Sequence, residues 1–307
     1  MNKTTVTAIP RLNAADLEKF DSTSLTALQK AVCDVGFITV YNTALSAADV
    51  EKTIAAYRQF FEMPKSEKES VNMARTGASR GWGAPMSEQV DPNANPDYKE
   101  VFDSGFVPAA DHPLAHLPVY TPNLWPDTPE GFREQIEGYY RRALEVAMIV
   151  LRAISKAILD APDYFDDKFD VPMALLRGNY YPERPDWAGE QDFGIAEHTD
   201  YGCVTLLAMD GTPGLEVQMP DGSWSAVTAQ PGEFVINFGE MLQMWTNGAV
   251  KATLHRVVGS KDTRISVPLF FNPNYSTNVA PLGSDQTIVA GDHLTKRYQE
   301  TYVHLKG

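Results

Sequence analysis

Apolar residues recur every three or four positions in three stretches of the chain, the spacing that places them on one face of a helix. The first two stretches run from Asn13 to Val35 and from Ser46 to Phe61, with serine or aspartate starts suited to capping. The third runs from Pro129 to Leu159 and has no interior proline. These patterns predict three amphipathic helices, of which the last is long and packs on the core.

Short runs rich in β-forming residues follow one another after Val171, separated by turn residues. Tight turns are predicted at MPDGS (219–223) and at QPGE (230–233). Regularly spaced short strands joined by such turns favour a jelly roll or sandwich with antiparallel pairing. The runs are ALLRGNYYP, HTDYGCVTLLAM, GLEVQM, SWSAV, EFVINF, ATLHRVV and RISVPLFF, and an earlier one, GFITVY, spans 36–41.

The remaining segments complete the picture of a single domain. Residues 73–129, including RGWGAP and QVDPNANPDY, are rich in turn-forming residues and lack periodicity, which indicates irregular connections with short strands. From Ile288 onward the pattern predicts a closing helix with Asp292 as its cap. We expect one α+β domain over 1–307, with a mainly helical region at 1–170, a jelly-roll core at 171–280 and a C-terminal segment at 281–307.

Composition and charge narrow the class of partner. The net charge of −14 on 307 residues repels nucleic acid and anionic membranes, so we expect a small-molecule partner, no nucleic acid and no membrane. No stretch approaches the ~18 uncharged apolar residues that a membrane span needs, and the N-terminus has no apolar signal region. The two cysteines, Cys33 and Cys203, are far apart without metal or redox spacing, which predicts reduced thiols and a cytoplasmic location. The oligomeric state stays open.

Three residues have the types and spacing of a metal site. His198 and Asp200 are two residues apart, so on an extended strand both side chains leave the same face. His255, from a different β-rich run, would add a second imidazole. Two histidines and one carboxylate on one face of an ion leave its other positions open, the arrangement of non-haem Fe(II) oxygenases. Zinc accepts the same ligands and would indicate hydrolysis or hydration instead.

An anion anchor is predicted beside this metal site. Arg264 and Ser266 begin a strand nine residues after His255, and their spacing lets a guanidinium and a hydroxyl grip one carboxylate. A hydrolase has no obvious need for such an anchor. Asn179 and Tyr181, together with Arg177, alternate on another strand and would supply further polar groups if they face inward. The remaining histidines are assigned no role: His112, His116, His293 and His304.

Taken together, these motifs resemble the isopenicillin N synthase-like Fe(II)/2-oxoglutarate-dependent oxygenases, also called the iron/ascorbate oxidoreductase family. The likeness covers most of the chain and is specific in order and spacing. It is carried by CDVGFITVYN, KEVFDSGF, NYYP (179–182), HTDYGCVTLL (198–207), PGLEV, PGEFVINFGEMLQMWTNG (231–248), LHRV (254–257), RISVPLFFNPN (264–274) and GDHLTKRYQETY.

The resemblance implies a distorted double-stranded β-helix, or jelly roll, flanked by N-terminal helices, one long central helix and a C-terminal helix. It implies iron on His198, Asp200 and His255, and 2-oxoglutarate with its distal carboxylate on Arg264 and Ser266. Asn179 and Tyr181 would lie near the cosubstrate's other end or near the substrate. The implied reaction uses O2, with ascorbate as a reductant, to hydroxylate, desaturate or cyclise a small molecule while releasing succinate and CO2.

Two alternatives remain at the level of sequence. The synthase that names the family uses no 2-oxoglutarate and binds a substrate carboxylate with the matching arginine and serine, so Arg264 and Ser266 do not settle the use of the cosubstrate. A jelly-roll binding module without catalysis is the second alternative, which the intact ligand set disfavours. Arg80, in SRGWG, resembles a substrate-anchoring arginine of the synthase and suggests an anionic substrate, or else is a solvated loop residue. The substrate itself is not encoded in a transferable motif.

Overall fold

The computed structural model describes residues 8–87, 98–183, 194–259 and 261–301. Most of the QVDPNANPDY segment (89–98) and His304, on which predictions were made, lie outside the described residues. Within them the helices are α1 (Ala14–Glu18), α2 (Ser22–Asp34), α3 (Ala47–Phe61), α4 (Lys65–Lys68), α5 (Met73–Thr76), α6 (Phe132–Leu159), α7 (Glu240–Trp245) and α8 (Ala290–Thr301).

The strands form two sheets. They are β1 (Arg11–Asn13), β2 (Phe37–Tyr41), β3 (Gly81–Gly83), β4 (Glu100–Gly105), β5 (Leu175–Tyr181), β6 (Ile195–His198), β7 (Val204–Met209), β8 (Leu215–Gln218), β9 (Trp224–Ala226), β10 (Phe234–Phe238), β11 (His255–Val257) and β12 (Arg264–Phe271). The larger sheet has the order β1-β2-β10-β7-β12-β5-β4-β3 and the smaller one β6-β11-β8-β9. All pairs are antiparallel except β1 with β2.

The mixed α+β architecture with a jelly-roll core is confirmed. The two sheets bury an apolar cluster between them, in which Phe37, Met209 and Val235 of the larger sheet meet Val217 and Val257 of the smaller one. Helices cover the other face of the larger sheet. Because β1 to β4 from the first half of the chain share this sheet with β5, β7, β10 and β12, we retain the single domain over 1–307 as our prediction.

The first predicted helix is two helices in the structure. The chain turns after α1, where Phe20 has a φ of 55°, and α2 restarts with the Asp21 carboxylate accepting a hydrogen bond from the backbone N–H of Ser24. A left-handed residue cannot continue a right-handed helix, and aspartate is a preferred N-cap. The apolar spacing continues across this break because both helices bury the same side, so periodicity alone did not reveal it.

The second and third predicted helices are confirmed with adjusted starts. Ser46 and Asp49 form a reciprocal capping box that begins α3. The long helix α6 spans 28 residues and begins at Phe132, three residues after Pro129, because Gly131 adopts a left-handed conformation just before it. Its buried face packs against α1, α2 and α3.

The closing helix α8 is present, but Asp292 is not its cap. The helix begins at Ala290, and Asp292 lies in its first turn, where its carboxylate accepts a hydrogen bond from the Tyr275 hydroxyl at 2.7 Å. An acidic residue in the first turn interacts favourably with the helix dipole, which explains why the sequence signal for a cap and for a first-turn acid coincide. No helix in the described part of the chain is long and apolar enough to cross a membrane.

Candidate active site

Two histidines are brought together by the smaller sheet. His198 ends β6, His255 begins β11, and the two are register partners. Nδ1 of His198 lies 2.8 Å from the carbonyl oxygen of Ala196, and Nδ1 of His255 lies 3.1 Å from that of Thr253. Because a carbonyl oxygen only accepts, each Nδ1 carries a proton, and in the neutral ring Nε2 presents a lone pair. Both Nε2 atoms are therefore prepared to bind a metal.

Asp200 completes the cluster from a loop, because β6 ends at His198 and the predicted continuous strand through Asp200 is not formed. Its Oδ1 lies 3.8 Å from Nε2 of His198 and 3.7 Å from Nε2 of His255. The other oxygen, Oδ2, accepts hydrogen bonds from Asn237 Nδ2 at 2.6 Å and from the Thr205 hydroxyl. The two donors hold the carboxylate so that Oδ1 faces the imidazoles.

The electrostatics of the cluster suit metal binding. Burial lowers the pKa of His198, and the neighbouring His255 ring lowers it further against the opposing effect of Asp200. Burial raises the pKa of Asp200, but the two imidazoles and the hydrogen bonds from Thr205 and Asn237 outweigh it, and the net shift is downward. These directions favour a neutral His198 and an ionised Asp200, the forms that ligate a divalent ion.

A buried guanidinium lies on the inner face of the larger sheet. Arg264 is only 1% exposed, yet its Nε and Nη1 have no hydrogen-bond partner. The guanidinium carbon lies 4.9 Å from the centroid of the Tyr181 ring, its register partner on β5. Burying a cation with unpaired N–H groups is costly, so this arrangement fits an anion that supplies the missing acceptors.

The other predicted anchor residues surround this guanidinium. Ser266 is 1% exposed and is the register partner of Asn179, whose Nδ2 donates to the Ser266 hydroxyl at 3.4 Å. Oδ1 of Asn179 is buried and has no partner. The pairing of β5 with β12 thus places Arg264, Ser266, Asn179 and Tyr181 on one face, as the alternation of the sequence required.

The donor set fits a divalent metal beside a carboxylate. The ligand atoms of His198, Asp200 and His255 lie within 4.8 Å of one another, close enough to share one ion. Three protein ligands leave coordination positions for exogenous oxygen donors. The unpaired N–H groups of Arg264 and the hydroxyl of Ser266 complement the negative charge that such a donor carries.

Two other arginines named in the sequence analysis are paired with groups of the protein. Arg177 forms a bidentate ion pair with Asp103, with both N–O distances at 2.7 Å. Arg80 is 2% exposed and donates to Asn123 and to two backbone carbonyls, those of Phe106 and Val119. The interpretation of Arg80 as a solvated loop residue is therefore wrong, because its guanidinium is buried and donates to these three groups of the protein.

Sequence reasoning missed three residues of the site. Thr205 and Asn237 hold Asp200, but nothing local marks them, because they lie on β7 and β10 and meet Asp200 only through the pairing of those strands. Lys99 is 4% exposed, and its charge contributes to lowering the pKa of His198. The sequence shows a lysine directly before a predicted strand in the KEVF segment, but it does not reveal that this lysine is buried or which side it faces.

Comparison with known proteins identifies the family. The family model "2OG-Fe(II) oxygenase superfamily" matches residues 172–273, and the model "non-haem dioxygenase in morphine synthesis N-terminal" matches 9–128. The first match contains His198, Asp200, His255 and Arg264. Both models describe non-haem oxygenases, and together they cover most of the chain.

Individual relatives agree with that class. A 2-oxoglutarate-dependent dioxygenase of Didymella fabae is 31% identical over 90% of this chain and 89% of its own length, and a homoarginine-6-hydroxylase of Arabidopsis thaliana is 31% identical over 90% and 88%. The crystal structure of a full-length Neurospora crassa protein with alpha-KG superposes with a TM-score of 0.84, at 27% identity, covering 98% of each chain. The protein belongs to the 2OG-Fe(II) oxygenase superfamily and is a 2-oxoglutarate-dependent dioxygenase that uses iron.

Proposed function

We propose that His198, Asp200 and His255 hold the Fe(II) of this dioxygenase and that Arg264 and Ser266 bind the distal carboxylate of 2-oxoglutarate. The observation that carries the proposal is the buried guanidinium of Arg264, whose Nε and Nη1 have no partner. It lies on the inner face of the larger sheet, the face from which Thr205 and Asn237 bond Asp200. A buried cation without acceptors is stabilised when an anion binds. The intact set of His198, Asp200 and His255 argues against a binding module that has lost its chemistry.

Each residue then has a defined task. When bound, iron and 2-oxoglutarate together supply the oxidation of a C–H bond by O2, with succinate and CO2 as products of the cosubstrate. Arg264 and Ser266 fix one end of the cosubstrate, and Asn179 and Tyr181 are placed to contact its body or the substrate beside it. The apolar cluster between the sheets would limit the access of water, and water exclusion prevents side reactions.

Experimentally, the proposal is tested by anaerobic titration of the Fe(II) protein with 2-oxoglutarate. We expect the weak visible charge-transfer band of the bound cosubstrate in the wild type and its loss in Arg264→Ala and in His198→Ala. Arg256→Ala is a matched control, because this arginine lies on the smaller sheet, is 22% exposed and pairs with Glu216 and Glu197 instead of facing the site. A wild type without the band would contradict the assignment.

The substrate is a small molecule, as it is for the neighbours crystallised with thymine, 5-formyluracil and JA. We propose that it is also anionic. Arg80 no longer supports this, but Lys99 does. It is a buried cation, and because Val101 of β4 pairs with Asn179 of β5, alternation puts Lys99 on the same sheet face as Asn179 and Tyr181. A substrate carboxylate or phosphate entering there would be attracted to that charge.

Succinate release across a panel of small molecules tests the substrate class. The panel pairs each acid with its neutral amide or ester, so that charge is the only systematic difference. We expect the wild type to turn over the acids faster than their neutral partners. Lys99→Met should raise KM for the acid, and Lys99→Arg should restore it. Preference for the neutral member of each pair would contradict an anionic substrate and leave the iron and cosubstrate assignments intact.

We further propose that the enzyme works in the cytoplasm. The two cysteines support this, because Cys33 and Cys203 are both free thiols and the burial of Cys203 keeps it from forming a disulfide bond with another molecule. A reducing compartment preserves such thiols. Fractionation of cells that express the untagged chain would test the location directly, and recovery with a membrane or secreted fraction would contradict it.

A further inference from the structure

The loop at residues 199–203 carries Asp200, and this ligand loop packs against the first turn of α7. The backbone N–H of Gly239 donates to the carbonyl of Cys203 at 3.0 Å, that of Glu240 to Asp200 at 2.8 Å, and that of Met241 to Tyr201 at 3.2 Å. The first N–H groups of a helix have no partner within the helix. Here the ligand loop supplies the acceptors, so the loop and the helix start are one hydrogen-bonded unit.

Glycines make this close approach possible. A Cβ atom on Gly239 would collide with the carbonyl oxygens of Gly202 and Asp200, and a Cβ on Gly202 would collide with the Asn272 side chain. A side chain at Gly239 would push the loop away from the start of α7, and one at Gly202 would push it away from Asn272. The backbone of Asp200 is therefore held by packing that tolerates little displacement.

Glu240 adds a side-chain connection to the same loop. Its Oε1 accepts a hydrogen bond from the hydroxyl of Thr199 at 2.5 Å. Its Oε2 accepts one from Nη2 of Arg297 at 2.9 Å. Thr199 stands directly between His198 and Asp200, so a contact at Thr199 acts on both proposed ligands through one peptide bond each.

Arg297 comes from the C-terminal helix and contacts the loop a second time. Its guanidinium carbon lies 4.4 Å from the centroid of the Tyr201 ring, the residue that follows Asp200. The helix itself is fastened to the body of the protein by the Tyr275 hydroxyl, which donates to Asp292, and by the N–H of Gly291, which donates to the Tyr275 carbonyl at 2.9 Å. The C-terminal helix thus contacts the ligand loop through an anchored arginine.

We propose that Glu240 and Arg297 are positioning residues of the metal centre: α8 braces the loop 199–201 through Arg297 and Glu240 and so holds His198 and Asp200 at the spacing that binds iron. This inference rests on the proposed function. Partners in the surroundings of ligands commonly tune metal affinity by 10- to 100-fold. A brace that reaches from α8 to the ligand loop also couples occupancy of the metal site to the packing of α8.

A purely structural role makes a different prediction. The side chains of Arg297 and Glu240 are 32% and 34% exposed, and an ion pair of this exposure adds little to global stability. Their removal should therefore leave the midpoint of thermal unfolding of the metal-free protein within about 2 °C of the wild type. Metal affinity, by contrast, depends on the spacing of the ligands and should change markedly.

Metal-free protein would be titrated with Co(II) in competition with a chromophoric chelator. We expect Kd to rise roughly 10-fold in Glu240→Gln and in Arg297→Ala, with an altered Co(II) ligand-field spectrum. The double variant should raise Kd by less than the product of the two single effects, because both substitutions break the ion pair between Glu240 and Arg297. Lys296→Ala, an exposed neighbour on the same helix, is the control and should bind as the wild type does.

Values of Kd within twofold of the wild type in both variants would overturn the brace. If Arg297→Ala fails to fold, the isosteric Glu240→Gln decides alone, since it preserves shape and removes the charge that both Thr199 and Arg297 contact. His198→Ala separates the two proposals. Loss of Co(II) binding in His198→Ala together with unchanged binding in Glu240→Gln would overturn the brace only, whereas unchanged binding in His198→Ala would overturn the metal site itself.

Discussion

His198 and His255 face each other across the β6–β11 pair, with ring centroids 4.2 Å apart. In each ring Nδ1 faces the carbonyl oxygen of the residue two positions earlier in the sequence. This residue is Ala196 for His198 and Thr253 for His255. The repeated contact fixes both rings in the same sense, with Nε2 toward Asp200. The two proposed metal ligands are thus oriented by the backbone.

Because the site is formed in advance, metal binding should stabilise the folded protein. At free Co(II) about 100-fold above Kd, linkage predicts a gain of about 2.7 kcal/mol, and the midpoint of thermal unfolding should rise by roughly 5 °C. His255→Ala should show no such rise, while His112→Ala, in a surface turn, should behave as the wild type. Calorimetry with and without metal checks this, and an equal rise in His255→Ala would place the metal elsewhere.

Asn237 should matter to metal binding although it is not a proposed ligand. Its Nδ2 donates to Oδ2 of Asp200 at 2.6 Å and helps to turn Oδ1 toward the imidazoles. We expect Asn237→Leu to weaken Co(II) binding by roughly 10-fold. Val235→Ala, on the same strand and face, removes apolar contact without touching Asp200 and serves as the control. A change in the control as large as in Asn237→Leu would assign the effect to packing.

Arg264→Met should abolish 2-oxoglutarate binding without destabilising the cosubstrate-free protein. The buried guanidinium has unpaired N–H groups, so replacing it with an apolar side chain of similar length removes an uncompensated charge. We expect a midpoint of thermal unfolding equal to or above that of the wild type. Calorimetry and the cosubstrate titration measure the two effects, and a loss of more than about 5 °C would show that the guanidinium is satisfied in the free enzyme.

Arg177→Met should destabilise the protein, in contrast to Arg264→Met, although Arg177 is also buried and lies on the same face of the sheet. Its guanidinium forms two hydrogen bonds with Asp103, so the substitution leaves a buried carboxylate without its cation. We expect a loss of about 3–5 kcal/mol in the free energy of unfolding. Chemical denaturation measures it. The double variant Arg177→Met/Asp103→Leu should recover much of the loss, and failure to recover would mean that packing, not charge, dominates.

The start of α3 should lose stability in Asp49→Asn, and the loss should depend on pH. A hydrogen bond from Arg142, at 2.9 Å, and those with Ser46 hold the pKa of Asp49 below its usual range. A lowered folded-state pKa stabilises the protein above the unfolded pKa of about 3.9 and loses that effect as pH falls below it. The difference in unfolding midpoint between wild type and Asp49→Asn should therefore shrink between pH 5 and pH 3. A constant difference would contradict the ionic origin.

Local patterns predicted much of this molecule. Apolar spacing and caps located α3, α6 and most strands, because these features depend on residues a few positions apart. The break between α1 and α2 and the start of α8 were misjudged where one residue's conformation, that of Phe20, or one contact, that of Asp292, decided the boundary. Such details depend on neighbours that local spacing does not contain.

The chain's own residue order was enough to single out the candidates for the chemistry: two imidazoles and a carboxylate, and an arginine and a serine that share one face of a strand. Their partners and relative positions depend on how the strands pair. The pairing of β6 with β11 set His255 opposite His198, and the pairing of β5 with β12 set Tyr181 beneath Arg264. The fold also consumed Arg177 in an ion pair while leaving Arg264 unpaired, because the partners of a buried charge come from distant segments whose register only folding establishes.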